Sequence, residues 1–298
     1  MNRRVWTALL TVQILFAVHY VVAKILLEDI PPRSWALIRV AASASVLLGA
    51  SHALRRSFPK RLSEYGKLAL YALFGVGINQ FCFVEGLSRT TPTHSAIINT
   101  TIPVLTLAIA VALGRETATP TKIASLVIAL AGVSLVVAPW THGFSEATVQ
   151  GDLLTVLNAT SFSIFLVLSR RIMMRVDPLP ATALMFCFGA IYLLPVGWPT
   201  LAEIDMSDLN LQHALIAVFI VLGPTAGAYL LNSWALGKVH SSMVALFIYL
   251  QPVLTSILSF VILAEPIGMR LLIGALLIFI GVRVASTDRS LAGRTRKK

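Results

Sequence analysis

Charge is scarce in this sequence. Asp, Glu, Lys and Arg make up 12% of its 298 residues, against about 25% in an average globular protein, too few to cover an ordinary soluble enzyme. Acidic residues are the scarcer kind, 13 against 24 basic ones. Cysteine is nearly missing: Cys82 and Cys187 both sit in apolar stretches with no CxxC partner. That removes a disulfide framework and a zinc or redox role, and leaves two small buried side chains. Several catalytic signatures are absent too. There is no GxxxxGK[ST] for an ATP-driven pump, and no GxSxG, HExxH, Cys/His ligand spacing or pair of buried aspartates for an intramembrane hydrolase. The chain is therefore read as a non-enzyme with no catalytic residue, no cofactor and no metal.

What is abundant is apolar surface. Hydrophobic residues account for 57% and the mean hydropathy is +0.82, more than one compact core of this length can hide, so the surplus faces lipid. A net charge of +11 and a pI near 10.2 would point to nucleic acid in a soluble protein. Here the basic residues form short clusters between apolar runs, with no basic stripe interleaved with stacking aromatics, so nucleic acid is not a partner and the charges report membrane orientation.

A hydrocarbon core about 30 Å thick needs roughly 20 apolar residues in helix. Ten runs fit: Val5 to Leu27, Ser34 to Leu54, Gly66 to Leu87, Thr93 to Leu113, Thr121 to Ala138, Gly151 to Met173, Ala181 to Trp198, Leu211 to Leu236, Ser241 to Leu263 and Gly268 to Ser286. The fold class is thus all-α, a polytopic membrane protein. Arg3 and Arg4 precede the first run as in a signal peptide. That run is longer than a signal core, carries Lys24 and lacks a small-x-small cleavage site before Glu28, so it is read as a retained helix. Nineteen Lys and Arg fall on one side of the ten spans, only Arg33, Arg89 and Arg270 on the other, and Lys24 and Arg39 lie within spans. The excess places both termini in the cytoplasm and the protein in the plasma membrane. Trp6, Trp35, Trp140 and Trp198 near span ends suit the interface.

The chain also repeats itself. Pro103-Val104-Leu105-Thr106 matches Pro252-Val253-Leu254-Thr255, Glu116 matches Glu265 and Gly132 matches Gly281, all at an offset of 149 residues. Five spans per half is an odd number, so the halves cross the membrane in opposite senses, the inverted repeat of many secondary transporters. The expected organisation is a first repeat over 1–140, an outer linker over 141–150, a second repeat over 151–286 and a basic cytoplasmic tail over 287–298.

The repeat segments FCFVEGLSRTTPTHSAIINTTIPVLTLAIAVALGRE and NSWALGKVHSSMVALFIYLQPVLTSILSFVILAEP resemble the EamA family of the drug/metabolite transporter superfamily, and the likeness covers almost the whole chain. AKILLEDIPPRSWALIRV is similar to that family's first-to-second helix segment, with Lys24, Pro31, Pro32 and Arg39 at matching places. The resemblance implies a ten-helix carrier of small polar metabolites, often exported, without naming the solute.

Candidate site residues follow from polar groups at membrane depth, which are costly in lipid and tend to face a cavity or another helix. Gln13, Tyr20 and Lys24 share a stripe of the first span, Ser95, Asn99 and Thr106 a stripe of the fourth. Asn79 in the third, Asn158 and Ser161 in the sixth, Tyr229 and Asn232 in the eighth, and Tyr249 and Gln251 in the ninth add donors and acceptors. Each is read either as solute contact or as an interhelical hydrogen bond worth about 0.6 kcal/mol. Lys24, close to its helix end, also has the option of snorkelling to the interface. Arg39, deeper, either binds an anionic solute group or pairs with Glu85. Glu85 and His94 flank a short outer turn and are the proton-coupling candidates, with solvation at a wet rim as the alternative. Pro103, Pro252 and Pro224 break helices and free backbone carbonyls for a solute, unless neighbouring helices satisfy them. Glu116 and Glu265, at pseudo-equivalent helix ends, suit a gate or a cap. These residues describe a secondary transporter for a small-molecule solute in a lipid bilayer. The competing readings are a non-transporting membrane sensor or assembly factor and, far behind, an intramembrane enzyme.

Overall fold

The computed structural model describes residues 3–90, 92–137, 149–205, 207, 209–263 and 269–287. The described residues form ten helical units and no β-strand. They are α1 (Arg3–Asp29), α2 (Pro32–Ala53), α3 (Leu62–Arg89), α4 (Pro92–Asn99 and Ile102–Ala112) and α5 (Pro120–Val137) in the first half. The second half holds α6 (Val149–Met173), α7 (Pro178–Gly197) and α8 (Leu211–Leu236). It ends with α9 (Ser241–Leu246, a 3₁₀ turn Phe247–Tyr249, and Leu250–Leu263) and α10 (Met269–Thr287). Six of them, α1, α2, α3, α6, α7 and α8, are long and apolar enough to cross a membrane. Ile102–Ala112, Pro120–Gly132, Ser241–Leu254 and Leu272–Ala285 are shorter apolar helices. Outward faces expose Leu157, Ile191, Val218 and Leu276, as lipid contact requires. α6 begins at Val149, two residues inside the expected linker, whose preceding part lies outside the described residues, as do residues 288–298 of the expected tail.

Helix boundaries follow local chemistry. Pro32 and Pro178 stand in the first turns of α2 and α7, where a missing N–H costs nothing, and the Asp177 carboxylate accepts from Leu179 N at 3.0 Å. At the other end of the first half, Gly114 sits at φ +59°, a left-handed conformation that suits glycine and ends α4.

The two halves pack so that contacts reappear when they are exchanged. α2 runs along α7 and α5 along α10, while α3 lies on α6 and α1 on α8. Atomic detail agrees. A Cβ on Gly132 would meet Gly274 O at 2.6 Å and Ile278, and one on Gly281 would meet Ser125 O and Ala129 Cβ, both at 2.8 Å. Adding 149 to 125, 129 and 132 gives 274, 278 and 281, so one contact is the image of the other. Breaks in the helices repeat too. α4 is interrupted between Asn99 and Ile102 just ahead of Pro103, and α9 turns 3₁₀ over Phe247–Tyr249 just ahead of Pro252. α3 widens into a π-helix over Leu73–Ile78 and α8 over Val221–Gly227, again about 149 residues apart. Pro224 explains the second; Gly75, at the same repeat position, stands in the first.

Reciprocal close packing makes a prediction. Gly281→Leu forces α10 off α5 and should lower the melting temperature of the detergent-solubilised protein sharply, overpacking costing about 1–3 kcal/mol or more. Gly132→Leu should do the same, whereas Gly49→Leu, with nothing within 4 Å of its Cβ position, should leave the melt unchanged. Equal melts for Gly281→Leu and Gly49→Leu would remove the packing argument.

Candidate functional site

Where the halves meet, a buried cavity of 60 Å³ is lined from both repeats. From the first come Tyr20, Arg39, Asn79 and Asn99; from the second Asn158, Tyr229 and Gln251. Aromatic Phe16, Phe83 and Phe162 close its walls. The volume admits a few waters or one end of a small solute.

A continuous hydrogen-bond chain orders the cavity. Arg39 is 2% exposed. It donates through one terminal nitrogen to His19 Nε2 at 3.2 Å and through the other to Gln80 Oε1. Because a guanidinium only donates, His19 Nε2 acts there as acceptor. The His19 ring stacks on Phe83, with centroids 5.0 Å apart, and the same ring lies 5.5 Å from the guanidinium carbon. Gln80 Nε2 donates to the Tyr229 hydroxyl at 2.6 Å, which donates to Asn79 Oδ1 at 2.6 Å. Asn79 and Asn158 exchange side-chain to backbone bonds at 3.3 and 2.9 Å, tying α3 to α6. Asn99 Nδ2 donates to the Tyr20 hydroxyl at 2.5 Å, and Gln251 Nε2 to Gln13 Oε1 at 2.8 Å.

Several expected site residues do other work. Lys24 does not face the cavity: its ammonium donates to Leu87 O, Ser88 O and Thr90 O at 2.9, 3.2 and 3.1 Å, because the last carbonyls of α3 have no helical partner of their own. Arg39 does not pair with Glu85. That carboxylate is held by Arg33 at 2.8 Å and Arg89 at 2.7 Å, outside the cavity lining, and is buried rather than solvated at a wet rim. Gln13 acts through Gln251, and the Ser95 hydroxyl faces Thr155 at 3.4 Å. Asn232 and Tyr249 are buried but do not line the cavity. Glu265 and the side chain of His94 lie outside the described residues.

Carbonyls at or beside the helix breaks accept hydrogen bonds from serines of neighbouring helices. Ser161 donates to Phe74 O at 2.6 Å, Ser43 to Val221 O at 3.1 Å and Ser163 to Ile102 O at 3.3 Å. His19, Gln80, Phe16, Phe83, Phe162, Ile102 and Ile248 line the cavity without having been singled out in the sequence. One signal was available for Gln80, because the 149-residue offset maps it onto Tyr229.

Glu116 forms a second cluster at the face that carries both helical termini, Arg3 and Thr287. The glycine turn at Gly114 sends the chain back, with Arg115 N and Glu116 N both on Ala110 O, and the Glu116 carboxylate meets the start of α9. It accepts from Ser241 Oγ at 2.7 Å, Ser242 N at 3.2 Å and Ser242 Oγ, and pairs with buried Lys122 at 3.1 Å. His240 Nδ1 stands 3.7 Å away, within Coulombic reach but beyond a hydrogen bond. Burial pushes this carboxyl up, but the His240 ring, the Ser242 and Ser241 hydroxyls and Lys122 together outweigh it and hold Glu116 well below the usual carboxylate range. This cluster ties the first repeat to the second.

The fold and cavity define a multi-pass membrane protein whose two inverted repeats enclose a polar chamber. The family model of the EamA-like transporter family matches residues 5–138 and again 149–287, and the chain belongs to that family, within the drug/metabolite transporter superfamily. It is 26% identical over 290 residues to an uncharacterized transporter of Archaeoglobus fulgidus, covering 97% of this chain and 99% of that one. It is 27% identical to the uncharacterized transporter YyaM of Bacillus subtilis, covering 85% and 83%. With a WAT1-related protein of Arabidopsis thaliana it shares 24% identity, covering 96% and 85%. A crystal structure at 19% identity superposes with a TM-score of 0.76 over 96% of this chain and 97% of the other, a likeness of fold.

The Glu116 cluster generates a pH prediction. Its folded-state pKa is depressed, so the stability it contributes is present above the usual 4.5 and is lost as pH falls below that value. Glu116→Gln leaves Lys122 buried without its partner and should cost about 3–5 kcal/mol at pH 7. The melting-temperature gap to the unsubstituted protein should narrow below pH 4.5. A gap that is the same at pH 7 and pH 4 would contradict the assignment.

Proposed function

We propose that the protein is a secondary transporter that moves small polar metabolites, amino acids or related compounds, outward across the plasma membrane by alternating access, with both termini in the cytoplasm. The observation that carries this reading is the buried cavity at the seam of two inverted repeats, lined by polar side chains from both and holding an arginine that no carboxylate of the described residues neutralises. A sensor or scaffold has no use for such a chamber at the repeat interface, and no covalent chemistry is needed to use it.

Alternating access requires closures that form on one face while they open on the other. The Glu116 cluster supports such a closure, since it joins the end of α4 to the start of α9 across the seam. The repeat carries the same elements to the opposite face: adding 149 to Glu116 gives Glu265, and subtracting it from Ser242 gives Thr93. In this reading Glu116 with Ser241 and Ser242 closes the cytoplasmic side, and Glu265, its counterpart in the second repeat by sequence, serves the closure of the other side in alternation. The helix breaks at Pro103, Pro252 and Pro224 supply the bending points. Glu85, already held by two arginines, is not the coupling site in this scheme, and the coupling ion is left to measurement.

Purified protein in liposomes loaded with a cell metabolite extract should release a restricted set of solutes, identified by mass spectrometry of the outer medium. Asn99→Ala and Tyr229→Phe should reduce that release at least tenfold. Liposomes that retain every solute, with the protein shown to be folded and inserted, would sink the transporter reading.

A further inference from the structure

Most of the buried or half-buried cations have evident structural partners, and Arg39 differs from them. Lys24 holds helix-end carbonyls, Lys122 holds Glu116, Arg115 donates to Val167 O at 2.6 Å and Arg170 to Val239 O at 2.9 Å. Arg39 has only neutral acceptors, His19 and Gln80, and its Nε–H has no partner although the side chain is almost wholly buried. Neutral acceptors offset part of the cost of a buried guanidinium but not its charge. The group that would complete it is an anion presenting two oxygens to the free Nε–H and a neighbouring terminal N–H, the side-on geometry at which arginine binds carboxylates. With no second cation lining the cavity, a single negative charge is matched and a doubly charged phosphate is not.

Two further atoms on the same cavity lack partners and ask for the opposite chemistry. Asn99 and Gln251 have their amino groups held by Tyr20 and Gln13, which leaves Asn99 Oδ1 and Gln251 Oε1 buried without a donor. An N–H or O–H of the solute would supply one. An ammonium would donate as well, but once a carboxylate has neutralised Arg39 it would add an unbalanced positive charge, and no Asp or Glu lines the cavity to receive it. A hydroxyl or neutral N–H brings the donor without the charge. The remaining wall is aromatic and aliphatic, with Phe16, Phe83, Phe162 and Ile248, suited to an apolar body that parts these side chains as it enters.

We propose that the transported solute is a small organic monoanion with an apolar or aromatic body, its carboxylate bound by Arg39 and an uncharged hydroxyl or N–H bound by the side-chain oxygens of Asn99 and Gln251. This rests on the transporter reading and narrows it, placing hydroxy-acid-like anions ahead of zwitterionic amino acids.

A matched set tests it: 3-phenyllactate, its uncharged amide, phenylalanine and phenethylamine, which keep the ring and exchange the polar groups. Binding is read by thermal shift of the purified protein, and flux by counterflow in proteoliposomes. Phenyllactate should bind at least tenfold tighter than each of the other three and should be the best counterflow substrate. Arg39→Gln should abolish the preference for the acid over the amide, and Arg39→Lys should keep the sign of the preference but weaken it about tenfold, since a lysine lacks the planar fork. Should Arg39 variants not fold, Asn99→Leu serves instead: it should erase the advantage of phenyllactate over 3-phenylpropanoate, which lacks the hydroxyl. Phenylalanine or phenethylamine binding as tightly as phenyllactate, or the amide equalling the acid, overturns the inference. So does failure of all four to bind while the metabolite extract still yields flux, and in that case the transporter reading stands. Loss of flux for the extract as well takes down both.

Discussion

In a hydrocarbon slab no water rescues a polar group that the protein leaves unpaired, and this constraint orders the whole molecule. Three of the departures from regular helix are met by a side chain on a neighbour. The π-segment of α3 gives Phe74 O to Ser161, that of α8 gives Val221 O to Ser43, and the break before Pro103 gives Ile102 O to Ser163. The end of α3 is capped by Lys24 from another helix. Buried polar atoms without a partner also occur elsewhere, at Trp35, Thr106, Thr225, Asn232, Ser233, His240 and Tyr249, but Arg39 Nε, Asn99 Oδ1 and Gln251 Oε1 belong to residues that line one cavity, and one of the three carries a charge.

The scaffold is symmetric and the site is not. Gly132 and Gly281 exchange roles in the α5–α10 contact, and the prolines of α4 and α9 break their helices at matching places. Around the cavity the same 149-residue operation exchanges polar for apolar: Arg39 maps onto Phe188, Asn99 onto Ile248, Gln251 onto Ile102, and Gln13 onto Phe162. A symmetric lining would place two arginines, or none, at one centre. The likeness is broken in this way at the cavity, which gives it one charged end and one apolar wall.

Much of the fold was legible because periodicity and breakers act locally. Ten apolar runs, the inverted repeat and the breaks at Pro103, Pro252 and Pro224 were all readable, since proline acts on its own helix. The π-segment at Leu73–Ile78 was not, because Gly75 permits a widened turn without compelling one. Of the site, Tyr20, Arg39, Asn79, Asn99, Asn158, Tyr229 and Gln251 were found as polar groups at depth and do line the cavity. The aromatic wall escaped notice because a Phe in a membrane helix looks the same whether it meets lipid or a chamber. The partners of Lys24 and Glu85 could not be read for a different reason: α3 carbonyls and the pair Arg33 and Arg89 are brought to them by how helix ends meet in space, which spacing along the chain does not encode.

The Glu116 cluster also bears on how a repeat protein can favour two conformations without being trapped in one. If the contact to Ser241, Ser242 and Lys122 formed on one face alone, a net advantage of about 3 kcal/mol would hold that face shut more than a hundred to one. A counterpart of comparable strength on the opposite face removes the bias, since whatever is lost on opening one side is recovered on closing the other. Duplication of the sequence places the same residue type, Glu265, at the matching position, and the proposed alternating scheme asks it to act on the other face. On this argument the carboxylate matters less as a stabilising bond than as one member of a balanced pair. In the proposed transport cycle, balanced closures would leave the choice between the two packings to the solute and its fit to Arg39.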